Sequence, residues 1–448
     1  MMGFIKAKFN APGGVHPAYH KDLAAEQPIA VMPLSASLVV SMSQHLGKPA
    51  APTVKKGDSV LRGQVIGEAA GFISAAVHAP TSGTVKLVAP VATAAGPRAT
   101  AITIEPDGED TWVEGITPCP DWQALGKKEI VEKIAAAGIT GMGGAGFPTH
   151  VKVSPPPETE IDTLILNGAE CEPYLTADYR LMLEKAAEIW QGALIIAKAL
   201  DAKTIYVAIE DNKPQAIAAM QEAIPAEAGD AQVVALKTEY PQGAEKQQIF
   251  AVTGREVPAG GLPLTVGIVV ENVGTTLAVW DAVVNGRPLT ERVTTVTGGP
   301  VAKPGNVLAR LGTTTADMVE FCGGTSGAVA KIISGGPMMG FAQADMSGPT
   351  TKTTSGLLLL GPQSVHAYES MPCISCGRCV GVCPMNLMPN ELSQFLEAED
   401  YETAEEYNVM DCIECGCCSF ECPAHRPLVQ HMRRGKAQVM LNRRKQAS

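Results

Sequence analysis

Long apolar runs are missing from this sequence. No stretch of the 448 residues reaches the roughly 18 uninterrupted apolar positions that a membrane-spanning helix needs. The best run, Leu264 to Val270, is broken by Thr265 and Gly267 and ends at Glu271. The opening residues, Met1 to Lys8, lack the apolar core of a signal peptide. The chain is therefore expected in the cytoplasm, or at a membrane only through a partner. Aromatics are 5% and the formal net charge is -11, so base stacking and phosphate neutralisation are poorly served and no nucleic-acid partner is expected. The eight histidines (16, 20, 45, 78, 150, 366, 425, 431) are scattered, and no Ser/His/Asp or Cys/His set stands out. Charged residues are only 18% against 46% hydrophobic, which excludes a disordered chain.

What is present divides the chain into four parts. Residues 1 to about 30 read as irregular, with Pro12, Gly13, Gly14 and Pro17. From there to about 105, short β-like runs alternate with tight turns, as in Val54 to Gly67 and His78 to Val85. This pattern resembles the barrel-sandwich fold of biotinyl and lipoyl carriers. No lysine lies between Gly67 and Ala76, where a carrier would be modified, so a docking or scaffold role is expected. From 161 to 260, strand-like and helix-like segments alternate: Ile161–Leu166, a long helix Leu181–Leu200, Thr204–Ile209 and a helix Lys213–Ala223. Such alternation implies an α/β domain with a parallel sheet. A β-rich, glycine-rich small domain follows, and from 366 on cysteines sit among short helices. The expected boundaries are 1–115, 116–287, 288–362 and 363–448.

Nine of the twelve cysteines fall within residues 373–422. Cys373-x2-Cys376-x2-Cys379-x3-Cys383-Pro384 is followed by Cys412-x2-Cys415-x2-Cys418-x3-Cys422-Pro423, and each run has the bacterial ferredoxin spacing. Three thiolates on a tight turn reach three corners of one cubane, and the fourth points to the neighbouring cubane. The spacing thus predicts one [4Fe–4S] cluster on Cys373, Cys376, Cys379 and Cys422, and a second on Cys412, Cys415, Cys418 and Cys383. Structural zinc is the competing reading, and zinc sites rarely repeat such a run twice. Cys417 is expected as a neighbour, not a ligand.

Gly141-Met142-Gly143-Gly144-Ala145-Gly146-Phe147-Pro148-Thr149 follows a helical segment at 129–137, with Lys152 close behind. A run of this kind lets backbone N–H groups approach a phosphate, although alone it is equally a plain loop. The strand Leu164–Leu166 ends in Asn167-Gly168-Ala169-Glu170-Cys171-Glu172-Pro173, and ligands gather at the carboxyl ends of such strands. Glu170 and Glu172 have no accompanying nucleophile or acid histidine, and suit ribose hydroxyls or a nicotinamide amide.

These segments, with Glu271-Asn272-Val273-Gly274-Thr275, resemble the flavin site of the NADH-binding flavoprotein subunit of respiratory complex I. That family holds FMN on a Rossmann-like domain, stacks NADH over it, and places a β-grasp (SLBB-type) domain next. Over almost its full length the chain resembles the RnfC family of the Rnf complex, a membrane-bound, ion-pumping ferredoxin:NAD+ oxidoreductase. The match includes the barrel-sandwich, the glycine turn, Asn167 to Leu183, Gln242-Gly243-Ala244-Glu245-Lys246-Gln247, Gly260-Gly261-Leu262-Pro263 and both cysteine runs. A related component of the sodium-pumping NADH:quinone reductase is similar in architecture but lacks ferredoxin-type clusters.

The resemblance implies a multi-domain α/β chain: barrel-sandwich, Rossmann-like FMN/NADH domain, β-grasp domain and a helical ferredoxin-type domain with two [4Fe–4S] clusters. It implies flavin contacts at Gly141, Gly143, Gly144, Gly146, Lys152, Asn167, Tyr240, Gly243, Asn272 and Thr275. It implies NAD(H) contacts at Phe147, Glu172 and Glu245, with Glu170 serving either ligand. The chain departs from the complex I pattern at Met142, Ala169 and Ala244, where an arginine, an aspartate and a glutamate are usual. NADH gives up two electrons at once and clusters take one each, so a flavin belongs between them. Implied partners are the other components of a membrane complex and, through them, ferredoxin. The implied place is the cytoplasmic face of the inner membrane, with indirect membrane contact. Two other readings stand beside this one: a diaphorase component of a soluble hydrogenase or bifurcating enzyme, and a non-catalytic iron–sulfur wire and scaffold. The basic tail from Arg433 reads as a solvated helix, or as a contact for anionic lipid or an acidic partner.

Overall fold

The computed structural model describes residues 4–94, 96 and 98–447. At its centre is a five-stranded, all-parallel sheet in the order Ile5–Lys6, Asp230–Leu236, Thr204–Glu210, Thr163–Asn167, Ile268–Asn272. Parallel strands need crossover helices and are covered on both faces, which is why these segments read as nearly continuous apolar runs. Leu164 and Leu166 face helices Lys127–Ala136, Ala186–Leu200 and Val273–Val284, packing with Ile130, Ile134, Trp190 and Val279. Ile165, between them, faces the other way and packs with Ile249 of helix Glu245–Thr253.

The helix expected over 181–200 is two helices, Ala177–Glu184 and Ala186–Leu200, broken at Lys185 with φ -135°. Each half has its own partner. The first packs on helix Pro214–Glu222, the second on Val273–Val284. Gly192 permits the second contact, since a Cβ there would sit 2.1 Å from the Thr276 carbonyl oxygen.

Two small antiparallel sheets form the barrel-sandwich. One runs Leu38–Ser41, Arg98–Pro106, Gly83–Ala92, Ser59–Val60; the other runs Ala51–Pro52, Val65–Glu68, Val77–His78. Val40, Met42, Ile66, Val77, Val85, Ile102 and Ile104 fill the space between them. Residues 291–360 build a mixed sheet in the order Phe341–Gln343, Lys331–Ser334, Gly356–Leu360, Glu291–Thr297, Gly305–Arg310, with helix Thr315–Phe321 beside it. Its core is Val296, Val307, Met318, Leu357 and Leu359.

The first thirty residues are not merely irregular. Ile5–Lys6 joins the parallel sheet, Ala30–Val31 joins the mixed sheet beside Gly305–Arg310, and Gly14 N–H donates to the Val382 carbonyl at 3.0 Å. Two-residue strands have no periodicity of their own, and their partners lie hundreds of residues away.

The cysteine region folds around short helices Arg378–Gly381, Pro389–Glu397, Tyr401–Glu406 and Cys417–Glu421, closed by Leu428–Ala447. Among the described residues no helix is long and apolar enough to cross a membrane.

Candidate functional site

The two cysteine runs have the same backbone. Ser375 and Glu414, Gly377 and Gly416, and Asn386 and His425 take positive φ at matching positions. Each turn therefore aims its thiols inward. The Ser375 and Glu414 N–H groups each donate to the first sulfur of their run, Cys373 Sγ and Cys412 Sγ, at 3.4 Å. One cavity is lined by Cys412, Cys415, Cys418 and Cys383, and another by Cys373, Cys376, Cys379 and Cys422. The fourth cysteine of each run crosses to the other cavity. Among the described residues no three His, Cys, Asp or Glu side chains converge on a single-ion site. Thiols ringing a cavity suit a cubane. Cys417 is fully buried beside the first cavity, with its Sγ 3.8 Å from the Tyr240 carbonyl. Cys322 is buried and Cys119 half-buried, both away from these cavities.

The second centre lies at the carboxyl edge of the parallel sheet. Asn167 and Asn272 end adjacent strands in register. Asn272 caps helix Val273–Val284, its Oδ1 accepting from Gly274 N and Thr275 N at 2.9 and 3.1 Å, while its Nδ2 donates to Asp178 at 2.7 Å. Asn167 Nδ2 donates to the Gly243 carbonyl at 2.8 Å. The glycine turn lies over this edge. Met142 N–H donates to Thr275 Oγ1 at 2.9 Å, and Gly141 N–H closes the turn on the Phe147 carbonyl at 2.9 Å. Gly143 and Gly144 are main chain without side-chain cover: Gly144 is exposed and nothing lies within 4 Å of its Cβ position, whereas a Cβ on Gly143 would come to 3.0 Å from Asn272. The turn thus presents open main chain beside a helix N-terminus, a cradle that fits a phosphate. Gly146 instead backs onto the scaffold: its φ is +73°, and a Cβ would meet Thr353 at 2.7 Å.

Lys152 closes one side of the cradle, 2.8 Å from Glu245. Burial alone would lower its pKa, but Glu271 and Glu245 outweigh that and raise it. Glu271 is buried with Oε1 unpartnered, and burial pushes its pKa up to about 7 against the pull of Lys152. Phe147 is half-buried at the end of the turn.

Three other expected site residues have their polar groups engaged by protein. Glu170, at φ +46°, accepts Asp178 N–H at 2.7 Å and Tyr179 N–H at 3.2 Å, holding the start of helix Ala177–Glu184. Glu172 accepts Met338 N–H at 3.3 Å and Met339 N–H at 2.6 Å from the loop after Lys331–Ser334. Burial pushes its pKa up to about 7, although those N–H groups and Lys21 favour the charged form. Tyr240 is buried, and its hydroxyl donates to the Cys415 carbonyl at 2.6 Å. It faces the cluster turn.

Lys21 was not legible as a site residue. Its Nζ donates to the carbonyls of Glu170, Glu172 and Leu175 at 2.8, 2.9 and 2.6 Å, cinching the acidic loop into shape. No spacing in its own segment signals this. The basic tail is largely tied down: Arg433 and Lys436 pair with Glu414, Arg434 with Glu399 and Arg443 with Glu405.

Comparison with known proteins agrees with this layout. Residues 9–109 match the RnfC barrel sandwich hybrid domain, 134–281 the Nuo51 FMN-binding domain, 293–342 the SLBB domain and 367–423 the 4Fe-4S dicluster domain. The chain is 49% identical over 394 residues to the C component of the proton-translocating ferredoxin:NAD(+) oxidoreductase complex of Clostridium ljungdahlii, covering 88% of this chain and 86% of that one. It is 43% identical over 433 residues to the C component of the Na(+)-translocating ferredoxin:NAD(+) oxidoreductase complex of Acetobacterium woodii, covering 97% and 98%. A crystal structure of NAD+-reducing [NiFe]-hydrogenase in the H2-reduced state is similar with TM-score 0.49 and 20% identity, over 72% of this chain and 65% of that one. The chain belongs to the RnfC family, one of the building blocks of the ion-translocating ferredoxin:NAD+ oxidoreductase complexes.

Proposed function

We propose that this chain is the peripheral NAD(H)-binding electron-transfer subunit of an ion-translocating ferredoxin:NAD+ oxidoreductase complex, seated on the cytoplasmic face of the inner membrane. Its division is 1–115 for docking, 116–287 for FMN and NAD(H), 288–362 for the β-grasp and 363–448 for the clusters. FMN bound there would supply two-electron hydride acceptance and one-electron release towards [4Fe–4S] centres.

The chain's own residues bind and orient. Open main chain at Gly143 and Gly144 and the Lys152 ammonium hold the flavin phosphate, while Gly141, Asn272 and Thr275 shape the turn that carries them. Asn167 and Gly243 border the ring. Phe147 and Glu245 meet the nicotinamide nucleotide, and Glu172 holds the Met338–Met339 loop. Gly146, Glu170 and Tyr240 act by fixing the backbone around this site. Cys373, Cys376, Cys379 and Cys422 hold one cluster, and Cys383, Cys412, Cys415 and Cys418 the other.

The observation that carries this reading is the direct join between the cradle and a thiol-ringed cavity. Residues 240–243 touch Asn167 at one end and Cys415 at the other. An anaerobic NADH titration of the full chain, reconstituted with iron, sulfide and FMN, tests it. Bleaching of flavin and cluster absorbance together is expected. If FMN does not bind, or NADH leaves both unchanged while dithionite bleaches the clusters, the chain is a wire and scaffold.

A further inference from the structure

The two cysteine turns repeat each other in backbone, yet their surroundings differ sharply. In the first run, Cys376 is exposed and nothing lies within 4 Å of the Cβ position of Gly377. In the second, Cys415 is buried and a Cβ on Gly416 would lie 2.9 Å from the Met338 carbonyl oxygen. The same turn is free in one copy and enclosed in the other.

Tyr240 is central to that enclosure. Its side chain is 1% exposed, and its hydroxyl donates to the Cys415 carbonyl at 2.6 Å. Its own carbonyl accepts from Val15 N–H at 2.8 Å and lies 3.8 Å from Cys417 Sγ. Cys171, Met338, Val382 and Ile413 pack against this cluster, so the contact is buried. Three residues on, Gly243 accepts from Asn167 and donates to Cys171 Sγ at 3.3 Å. One short segment therefore grips both the cradle and the cavity lined by Cys383, Cys412, Cys415 and Cys418.

We propose that Tyr240 is a positioning residue that fixes the Cys415 turn and thereby sets the reduction potential of that one cluster. The inference rests on the cluster assignment above. Hydrogen bonds and exclusion of solvent around the ligands are among the main determinants of such potentials. Tyr240→Phe keeps the ring and leaves the Cys415 carbonyl without its buried donor, so the turn must readjust.

The test is a mediated potentiometric titration of the full chain, followed by electron paramagnetic resonance. In Tyr240→Phe the midpoint of one cluster should move and the other should stay. The moved signal should persist in a Cys373→Ala background and vanish in a Cys412→Ala background. Cys417→Ser, which keeps a donor toward Tyr240, should disturb the same cluster less. Unchanged midpoints in Tyr240→Phe, equal shifts of both, or a shift confined to the signal lost in Cys373→Ala overturn the proposal. Chemical mediators reduce the clusters without NADH, so the result stands apart from whether FMN binds. If the titration of the wild-type chain shows no two clusters, the underlying assignment fails instead.

Discussion

Asn167 and Asn272 stand side by side, in register, at the carboxyl ends of neighbouring parallel strands. The Asn167 amide donates to the Gly243 carbonyl, and the Asn272 amide caps a helix.

Replacing Asn272 by alanine frees the N–H groups of Gly274 and Thr275 and should cost about 1 kcal/mol of stability. Serine, which also caps, should recover most of that loss. Neither variant keeps the full bond to Asp178, so FMN should bind more weakly to both. Thermal unfolding and flavin-fluorescence titration separate the two effects. Equal stability of the alanine and serine variants would remove the capping role.

Lys152 is held between Glu245 and Glu271. On the proposed phosphate site, Lys152→Met removes a charge-assisted contact and should weaken FMN binding about tenfold. Glu245→Gln should raise KM for NADH with little change in the Kd for FMN. Parallel changes of both constants in Glu245→Gln would place that carboxylate on the flavin.

The crossed cysteine arrangement predicts a pattern of iron loss. Cys422→Ala should remove half of the iron. Adding Cys373→Ala should remove no more, because both line one cavity. Adding Cys412→Ala should empty the chain, because it lines the other. Iron and sulfide analysis of the two double variants decides it, and the reverse pattern would mean that each run holds its own cluster.

Lys352 is fully buried where three units meet, its Nζ donating to the carbonyls of Ala76 and Gly138 at 2.6 and 2.7 Å. Burial lowers its pKa from 10.5 to about 7. Between those values the unfolded chain carries the extra proton, so this group makes stability rise with pH from about 7 upward. His78 beside it is held down to about 3 by burial and by Lys352, and does not titrate in this window. Lys352→Met should flatten the rise in unfolding midpoint between about pH 7 and pH 9. Parallel profiles for the variant and the wild type would contradict this.

The parts legible in the sequence are those decided by local spacing. The cysteine runs announce their cavities because ligand spacing is nearly covalent geometry. Strands 163–167, 204–210 and 268–272 show as apolar runs because both faces are buried. The glycine turn and the Asn167–Pro173 segment are found where strand ends collect ligands. What stays hidden is decided by distant partners. Nothing near Lys21 indicates three carbonyl acceptors some 150 residues on. Tyr240 sits in a flavin-site motif, yet its hydroxyl follows the turn at Cys415. Glu172 has the position expected of a nucleotide contact, and its carboxylate meets Met338 and Met339 of another unit. The break at Lys185 is likewise set by two packing partners, not by any helix-breaking residue.

The strap formed by residues 5–31 has a consequence for assembly. These residues are synthesised well before their partners. Ile5 waits for Val234, Ala30 for Val307, and Gly14 for Val382. A Cβ on Gly13 would lie 2.7 Å from the Cys383 main chain, so the strap closes directly over the end of the first cysteine run. Contacts this remote in sequence form slowly and late. The strap therefore gains its anchors in turn, and the contact at the cysteine run can form only after synthesis has passed residue 383. Nascent chains arrested before that point have no Val382 carbonyl for Gly14 to meet. Protease sensitivity of the first thirty residues would report, on translating ribosomes, the moment at which the redox core becomes one body.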